Sequence, residues 1–351
     1  MSRPSITIGD RRVGADAPPF FLAEMSGNHN GSLARALEIV DAVAEAGAPA
    51  IKLQTYTADT ITIDADTPNF RISDGHSLWG SRRLYELYDE AHTPWEWHEE
   101  IFARASEKGM LAFSSPFDPT AVDFLEGLGA PAYKVASSEI VDLPLVRAMA
   151  ATGKPIIIST GMASLSEIDA AVQAARSTGN EQIVVLSCTA EYPADPASAN
   201  LRSLPTLAAA FQTLVGLSDH TMGIGVPVAS VAFGACLIEK HVTTRRADGG
   251  VDSAFSLEPE EVAALVRETE VAWQALGENR IGAKESEREG LRFRRSLYVT
   301  RDVTAGELVG PDNVRSIRPA GGLAPDEFGV VEGRPFRVDA VKGTPLTWEI
   351  I

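Results

Sequence analysis

The sequence predicts an α/β protein, a (β/α)8 barrel followed by a small β-rich domain. Three observations carry this reading. Eight short apolar runs alternate with amphipathic helical segments over about 250 residues. Polar and ionisable residues gather at the carboxyl ends of those runs, where such barrels do their chemistry. Beyond residue 295 the helical period vanishes. An open, doubly wound sheet shows the same alternation and is the second choice, because strand order cannot be read from one sequence.

The elements follow in order. FFLAEMS (20–26) is the first strand, and LARALEIVDAVAEAG places apolar residues three and four apart, with Gly47 as a helix stop. APAIKLQTY (48–56) is the second. The connection after it, roughly 57–94, contains TADT, SLWG and LYELYDEAHTP; a loop that long on the catalytic face shapes a substrate pocket. PWEWHEEIFARASEKG is helical and closes at Gly109. MLAFSSPF (110–117), AYKVASSE (132–139) and PIIISTGM (155–162) continue the strands. Ser164 caps the next helix, LSEIDAAVQAARSTG, which stops at Gly179. IVVLSCT (183–189), TLVGLSDH (213–220) and ACLIEKHVT (235–243) complete the set. The expected domains are a barrel over 1–280, a charged linker over 281–295 and a β module over 296–351. So small a module buries little surface alone and is expected to pack on the barrel or on a partner subunit.

Composition narrows the function. The chain has 351 residues, enough for one large core and a small one, and is 44% apolar and 23% charged, ordinary for a globular protein. A formal charge of −17 excludes nucleic acid and anionic membranes as general partners, though not a small anion held by a few gathered cations. Cys188 and Cys236 both lie in apolar runs, so they read as buried hydrophobes in a reducing compartment. The first fourteen residues lack an apolar core of signal-peptide length, and the longest apolar stretch, 224–238, contains Pro227 and is too short to span a bilayer. The expectation is a cytoplasmic protein.

The strand ends carry the chemistry. The first ends in Glu24, followed by Asn28 and His29, and the second presents Lys52 and Gln54 on one side by period-two alternation. Ser114 and Ser115 close the third, and the fourth holds Lys134, Ser137 and Glu139. Ser159 and Thr160 follow on the fifth, Thr189 and Tyr192 on the sixth. The last two end in Ser218–Asp219–His220 and Glu239–Lys240–His241, with Asp252 beyond. A strand-end histidine by itself is more often a hydrogen-bonded core residue, and a lone strand lysine snorkels or pairs. Two lysines and two histidines in otherwise apolar strands are different, because unpaired buried charge is expensive. Lysines with hydroxyls suit a phosphate and carboxylate cradle, and the histidine pair beside a glutamate suits a metal with a general acid/base. Ser159 lacks the partners of a hydrolase nucleophile, and Cys188 reads as packing. Trp79, Trp95 and Trp97 could stack on a sugar, with packing the default for the last two. The ADGG run (247–250) reads as a turn, and His76, His92 and His98 as surface residues without partners.

These residues belong to longer motifs. AEMSGNHNGSL, AIKLQTYTADT, FSSPFD, YKVASSEI, ISTGM, GLSDHTMG, IEKH and DGGVDSAFSLEPEE resemble the sialic acid synthase family in order and spacing. FRRSLYVTRDVTAGELVGPDNVRSIRPAGGL is similar to that family's carboxyl-terminal antifreeze-like (SAF) domain. SGNH, YTADT, SLWG and TPWEWH are most similar to the branch that makes pseudaminic acid. The resemblance implies a transferase that condenses phosphoenolpyruvate with an open-chain diacetamido amino sugar and releases phosphate. It implies a divalent metal, manganese or magnesium with cobalt as a third candidate, on His220 and His241. Lys52, Ser115, Lys134, Ser137, Ser159 and Ser218 would cradle phosphoenolpyruvate, and Glu24 and Glu139 would be the catalytic carboxylates. Gln54, Tyr192 and Asp252 would meet the sugar, and Arg318 would reach the neighbouring subunit's site in a domain-swapped homodimer. The chain departs at Ala190, where relatives carry a polar residue, and at Ser187. Synthases of sialic or legionaminic acid would share the mechanism. A Schiff-base aldolase using Lys52 or Lys134, or a non-catalytic sugar-binding protein, are the other classes.

Overall fold

Eight of the apolar runs become the parallel strands of one closed barrel in the computed structural model, which describes residues 5–73 and 79–351. The barrel strands are β3 (Phe20–Glu24), β4 (Ala50–Thr55), β5 (Leu111–Pro116), β6 (Tyr133–Val135), β7 (Ile156–Ser159), β8 (Ile183–Cys188), β9 (Leu214–Asp219) and β10 (Leu237–His241). Each pairs with its neighbour in sequence, and β10 closes on β3. Closure removes every sheet edge, so strands buried on both faces are tolerated and read as continuous apolar runs. A hairpin that the sequence reading did not foresee, β1 (Ser5–Ile8) with β2 (Arg11–Gly14), precedes the barrel; its Ile8 and Val13 bury in the interior cluster with Phe20, Leu22 and Phe113.

Helices fill the connections. They are α1 (Leu33–Glu45), α2 (Ala58–Ile61), α3 (Leu84–Ala91), α4 (His98–Glu107), α5 (Pro119–Gly127) and α6 (Leu143–Ala151). Then follow α7 (Leu165–Arg176), α8 (Leu204–Phe211), α9 (Gly225–Val231) and α10 (Pro259–Leu276). Local chemistry sets their starts. Ser32, Asp118 and Asp142 cap α1, α5 and α6 by accepting from first-turn amides, and Ser164 with Glu167 forms a capping box on α7. Outward strand residues Phe21, Ala23, Ile51 and Leu53 pack against Ile39 and Val40 of α1, Ile101 of α4 and Leu265 of α10. The two periods, 2 for strands and 3.6 for helices, thus meet in one apolar layer while the inward strand positions stay free for other residues.

The chain divides into two compact units, Met1–Gly277 and Glu278–Ile351. The segment 281–295, expected as a linker, is grouped with the second unit and forms short 3-10 turns at Glu285–Glu287 and Glu289–Phe293. That unit holds β11 (Ser296–Val299) antiparallel to β12 (Val314–Ile317), a short helix α11 (Phe328–Val331), and a core of Leu297, Val299, Val314, Phe336 and Leu346.

One glycine reports on barrel closure. A Cβ at Gly216 of β9 would lie 2.2 Å from the Leu237 carbonyl oxygen of β10 and 2.6 Å from Leu186 Cδ2 of β8. Backbone cannot yield as a flexible side chain does, so Gly216→Ala is expected to cost about 3 kcal/mol, the upper end for overpacking. Urea unfolding checks it: a variant as stable as the parent would mean that β9 and β10 are not so closely paired.

Candidate active site

Strand register brings the polar residues together. Glu24 pairs in register with Lys52, His241 with Glu24, Glu239 with Ser218, and Ser218 with Cys188. Partners on neighbouring parallel strands point to the same side, so these side chains form one layer at the carboxyl ends of the barrel strands. At its centre the Glu239 carboxylate lies 3.8 Å from Lys52 Nζ and 3.9 Å from Lys134 Nζ, and accepts from Ser218 Oγ at 3.2 Å. Lys52 also pairs with Glu24 and donates to Ser115 Oγ at 3.3 Å. Gln54 Nε2 donates to Glu24 Oε1 and to Ser26 Oγ, both at 3.1 Å, and Ser26 in turn donates to Asp252.

The ionisable groups here are buried, and burial drives their protonation states. It pushes Lys52 down, but Glu239 and Glu24 more than offset this and hold the ammonium on. Burial lowers Lys134, with Glu239 opposing. It raises Glu24 against the pull of Lys52, whereas in Glu239 the two lysines win and keep the carboxylate ionised. Glu139 has no such neighbour in contact, and burial pushes it up to about 7. Its Oε2 atom is buried without a hydrogen-bond partner, as are Ser159 Oγ, Glu239 Oε2 and His241 Nδ1. Unpaired polar atoms cost stability in a folded core, and their concentration here marks a place shaped for a polar ligand.

The histidines sit side by side, ring centroids 5.3 Å apart. His220 Nδ1 donates to the Thr189 carbonyl oxygen at 2.8 Å, which leaves Nε2 as the nitrogen that carries the lone pair. His241 Nδ1 is 3.8 Å from Asp252 Oδ2. Two imidazoles of this kind fit a divalent transition metal. Among the described residues no group of three or more His, Cys, Asp and Glu could hold an ion, so the other ligands would come from substrate or solvent. On the outer side of the same strands, Lys240 pairs with Asp219 and donates to the Thr221 carbonyl, and Asp219 accepts from the Thr221 amide and hydroxyl. Asp219 and Lys240 each immediately precede a histidine, so the pair pins the backbone that aims both rings.

The structure thus brings Glu24, Lys52, Gln54, Ser115, Lys134, Ser218, His220, His241 and Asp252 into one layer. Ser137 is nearby, accepting from the Gly161 amide at 3.1 Å, and Tyr192 lays its ring 4.4 Å from that of His220. Ala190 packs its methyl close to Gly161 and Ser137. Arg318 belongs to the second unit, exposed before the cis Pro319. Glu239 is the residue sequence reasoning undervalued. Its signal was available: in Glu239–Lys240–His241 alternation puts the glutamate on the histidine's side and the lysine behind.

Several readings need correction. Ser114 faces away from Ser115, bonded to Thr55, which also contacts His98 Nε2 at 2.8 Å. His98 is buried, not a surface residue, and its ring packs on Phe124. His92 also has a partner, the Asp89 carbonyl. His76 lies outside the described residues. Cys188 is only half-buried and pairs in register with Ser218, so its side chain faces the site and is more than packing.

Residues 39–281 match the NeuB family and residues 294–350 the SAF domain. A pseudaminic acid synthase of Campylobacter jejuni subsp. jejuni is 41% identical over 331 residues, covering 94% of this chain and 96% of that protein. An N,N'-diacetyllegionaminic acid synthase of Legionella pneumophila subsp. pneumophila is 34% identical, covering 98% and 97%. Among solved structures, the N-acetylneuraminic acid (sialic acid) synthetase of Leptospira borgpetersenii, in complex with citrate, superposes with a TM-score of 0.74 at 33% identity, covering 83% of this chain and 96% of that one.

Two predictions follow from the charges. Lys240→Met would strand Asp219, whose side chain is 2% exposed, and is expected to cost roughly 3–5 kcal/mol in urea unfolding; a loss below about 1 kcal/mol would mean that water reaches the pair. Glu139, raised from 4.5 to about 7 in the folded chain, contributes stability that is fully present below pH 4.5 and lost as pH rises through 7. The parent should therefore lose up to roughly 3 kcal/mol relative to Glu139→Gln between those pH values. Parallel pH curves for the two proteins would count against a protonated Glu139.

Proposed function

The chain belongs to the NeuB family, and on that premise we infer that it is a pseudaminic acid synthase, condensing phosphoenolpyruvate with 2,4-diacetamido-2,4,6-trideoxy-L-altrose to give pseudaminic acid and phosphate. The observation that carries the site assignment is the pair of buried lysines flanking Glu239, in the same barrel mouth as a histidine pair. Lys52 and Lys134, with the hydroxyls of Ser115, Ser137, Ser159 and Ser218, bind the phosphate and carboxylate of phosphoenolpyruvate and turn its methylene toward the sugar. His220 and His241 would hold a divalent metal, manganese or magnesium with cobalt as the third candidate, which would polarise the sugar's aldehyde as a Lewis acid.

The methylene carbon attacks the aldehyde carbon, forming the new C–C bond and leaving an alkoxide and an oxocarbenium-like carbon. Water adds to that carbon. Glu139, poised near neutrality, takes the proton that the water loses and returns it to the alkoxide. Glu24, oriented by Gln54 and Lys52, is placed to receive the hydroxyl proton as the tetrahedral intermediate collapses and phosphate leaves by C–O cleavage. Gln54, Tyr192 and Asp252 meet the sugar. Arg318, exposed on a second unit with twelve basic and twelve acidic residues, would complete the site of the neighbouring subunit in a domain-swapped homodimer. No helix among the described residues is long and apolar enough to cross a membrane, and a cytoplasmic enzyme fits substrates made inside the cell.

The legionaminic and sialic acid synthases differ in the sugar alone, so a panel decides. Phosphate release from phosphoenolpyruvate is expected to be fastest with the 6-deoxy diacetamido altrose, slower with its mannose-type epimer and slowest with N-acetylmannosamine. A preference for N-acetylmannosamine would overturn the substrate assignment. Chelation should abolish turnover, and His220→Ala should weaken metal binding by more than the roughly 10- to 100-fold that loss of a partner behind a ligand costs. A pyruvate adduct trapped by borohydride would instead support the aldolase.

A further inference from the structure

We propose that Trp79 is a specificity-determining residue which, with Tyr192, forms an aromatic wall that receives a methyl group of the acceptor sugar. This rests on the synthase reading above and names a residue which that reading leaves without a role. Trp79 comes from the long connection between β4 and α3 and is half-buried. Its ring lies 5.5 Å from that of Tyr192, tilted by 48°. Tyr192 stacks 4.4 Å from His220 and 5.4 Å from Phe255, and Phe255 lies edge-on to His241 at 5.0 Å. The rings make a continuous wall that runs from the loop down to the histidine pair.

Trp79 is anchored, not merely adjacent. Its indole N–H donates to the Val251 carbonyl at 3.0 Å, which uses its single polar atom. Val251 is itself fixed: a Cβ at Gly27 would come within 2.6 Å of its Cγ2, so only glycine admits it there, and the next residue, Asp252, is held by Ser26. With the N–H engaged, the rest of the Trp79 side chain is apolar ring. The polar part of the site is Glu24, Lys52, Gln54 and Glu239. A substrate between the two must put its ionic and hydroxyl groups on one side and C–H surface on the other. A methyl suits the wall, whereas a hydroxyl placed there would lose its hydrogen bonds to water without replacement.

One methyl-sized contact is worth roughly 10-fold or more in discrimination. The diacetamido deoxy sugar carries methyls at its terminal carbon and on its acetamido groups, so analogues must separate them. The experiment measures phosphate release by the parent, Trp79→Ala and Trp79→Phe. The substrates are the 2,4-diacetamido-2,4,6-trideoxy sugar, its 6-hydroxy analogue and an analogue with one acetamide replaced by hydroxyl. Trp79→Ala is expected to raise the KM for the sugar roughly 10-fold, leave the KM for phosphoenolpyruvate within about 2-fold, and flatten the preference for one of the methyls. Trp79→Phe should restore part of it. If the preference ratios are the same in Trp79→Ala as in the parent, or if both KM values rise together, Trp79 merely packs the loop and the proposal fails. If the parent releases no phosphate with any diacetamido sugar, the fault lies in the synthase reading itself.

Discussion

A buried carboxylate between two buried ammoniums is the constraint on which the rest of this structure depends. Glu239 separates Lys52 from Lys134 inside the barrel, and no member of the trio could be removed from water alone without a large penalty. Together they can. Two cations surround one anion at the centre, and Glu24 balances the outer side of Lys52. The arrangement keeps positive charge available to an anionic ligand in a protein whose overall charge is −17. That excess of negative charge resides wholly in the first unit, since the acidic and basic residues of the second are equal in number. The cradle is therefore a local inversion of the field, made by strand register and not by composition.

The same strands solve the positioning problem on their outer faces. β9 runs up to His220 and β10 ends in His241, each histidine is preceded by a charged residue, the two of opposite sign, and alternation sends Asp219 and Lys240 outward while Ser218 and Glu239 turn inward. The outward pair clamps Thr221, which follows His220, so the ring nitrogen aimed at the Thr189 carbonyl has little freedom to turn. Stabilising a fold does not require this ion pair, because apolar residues of similar volume serve a core as well. Its placement immediately behind both histidines makes orientation the better account of its cost.

Much of this was legible in the sequence, for identifiable reasons. Strands and helices have different periods, so the eight repeats could be counted and the strand-end residues named. Lys52 with Gln54, and the two histidines, were legible because alternation assigns them to one face. What escaped was information held between elements. Ser114 and His98 looked like a site residue and a surface residue, yet they meet across β5 and α4 in a buried contact with Thr55 that no local pattern encodes. Cys188 looked like packing because its strand is apolar; only the pairing of β8 with β9 puts it in register with Ser218. The β1–β2 hairpin was missed because strands of four residues are too short to carry much periodic signal.

Charge and wall divide the work of recognition. Phosphoenolpyruvate is small and highly charged, so lysines and hydroxyls fixed on rigid strands can bind it without help from loops. The acceptor is larger, and its distinguishing groups lie away from the reacting carbon. Those groups can be read only by side chains that reach over the barrel mouth, which is where the connections after β4 and β10 meet through Trp79 and Val251. A barrel of this kind can keep one reaction while changing its sugar, because the residues that move electrons and the residues that sort substrates sit on different parts of the chain. The long connection after β4 is then the segment in which relatives with different sugars should differ most, and the strand ends the segment in which they should differ least.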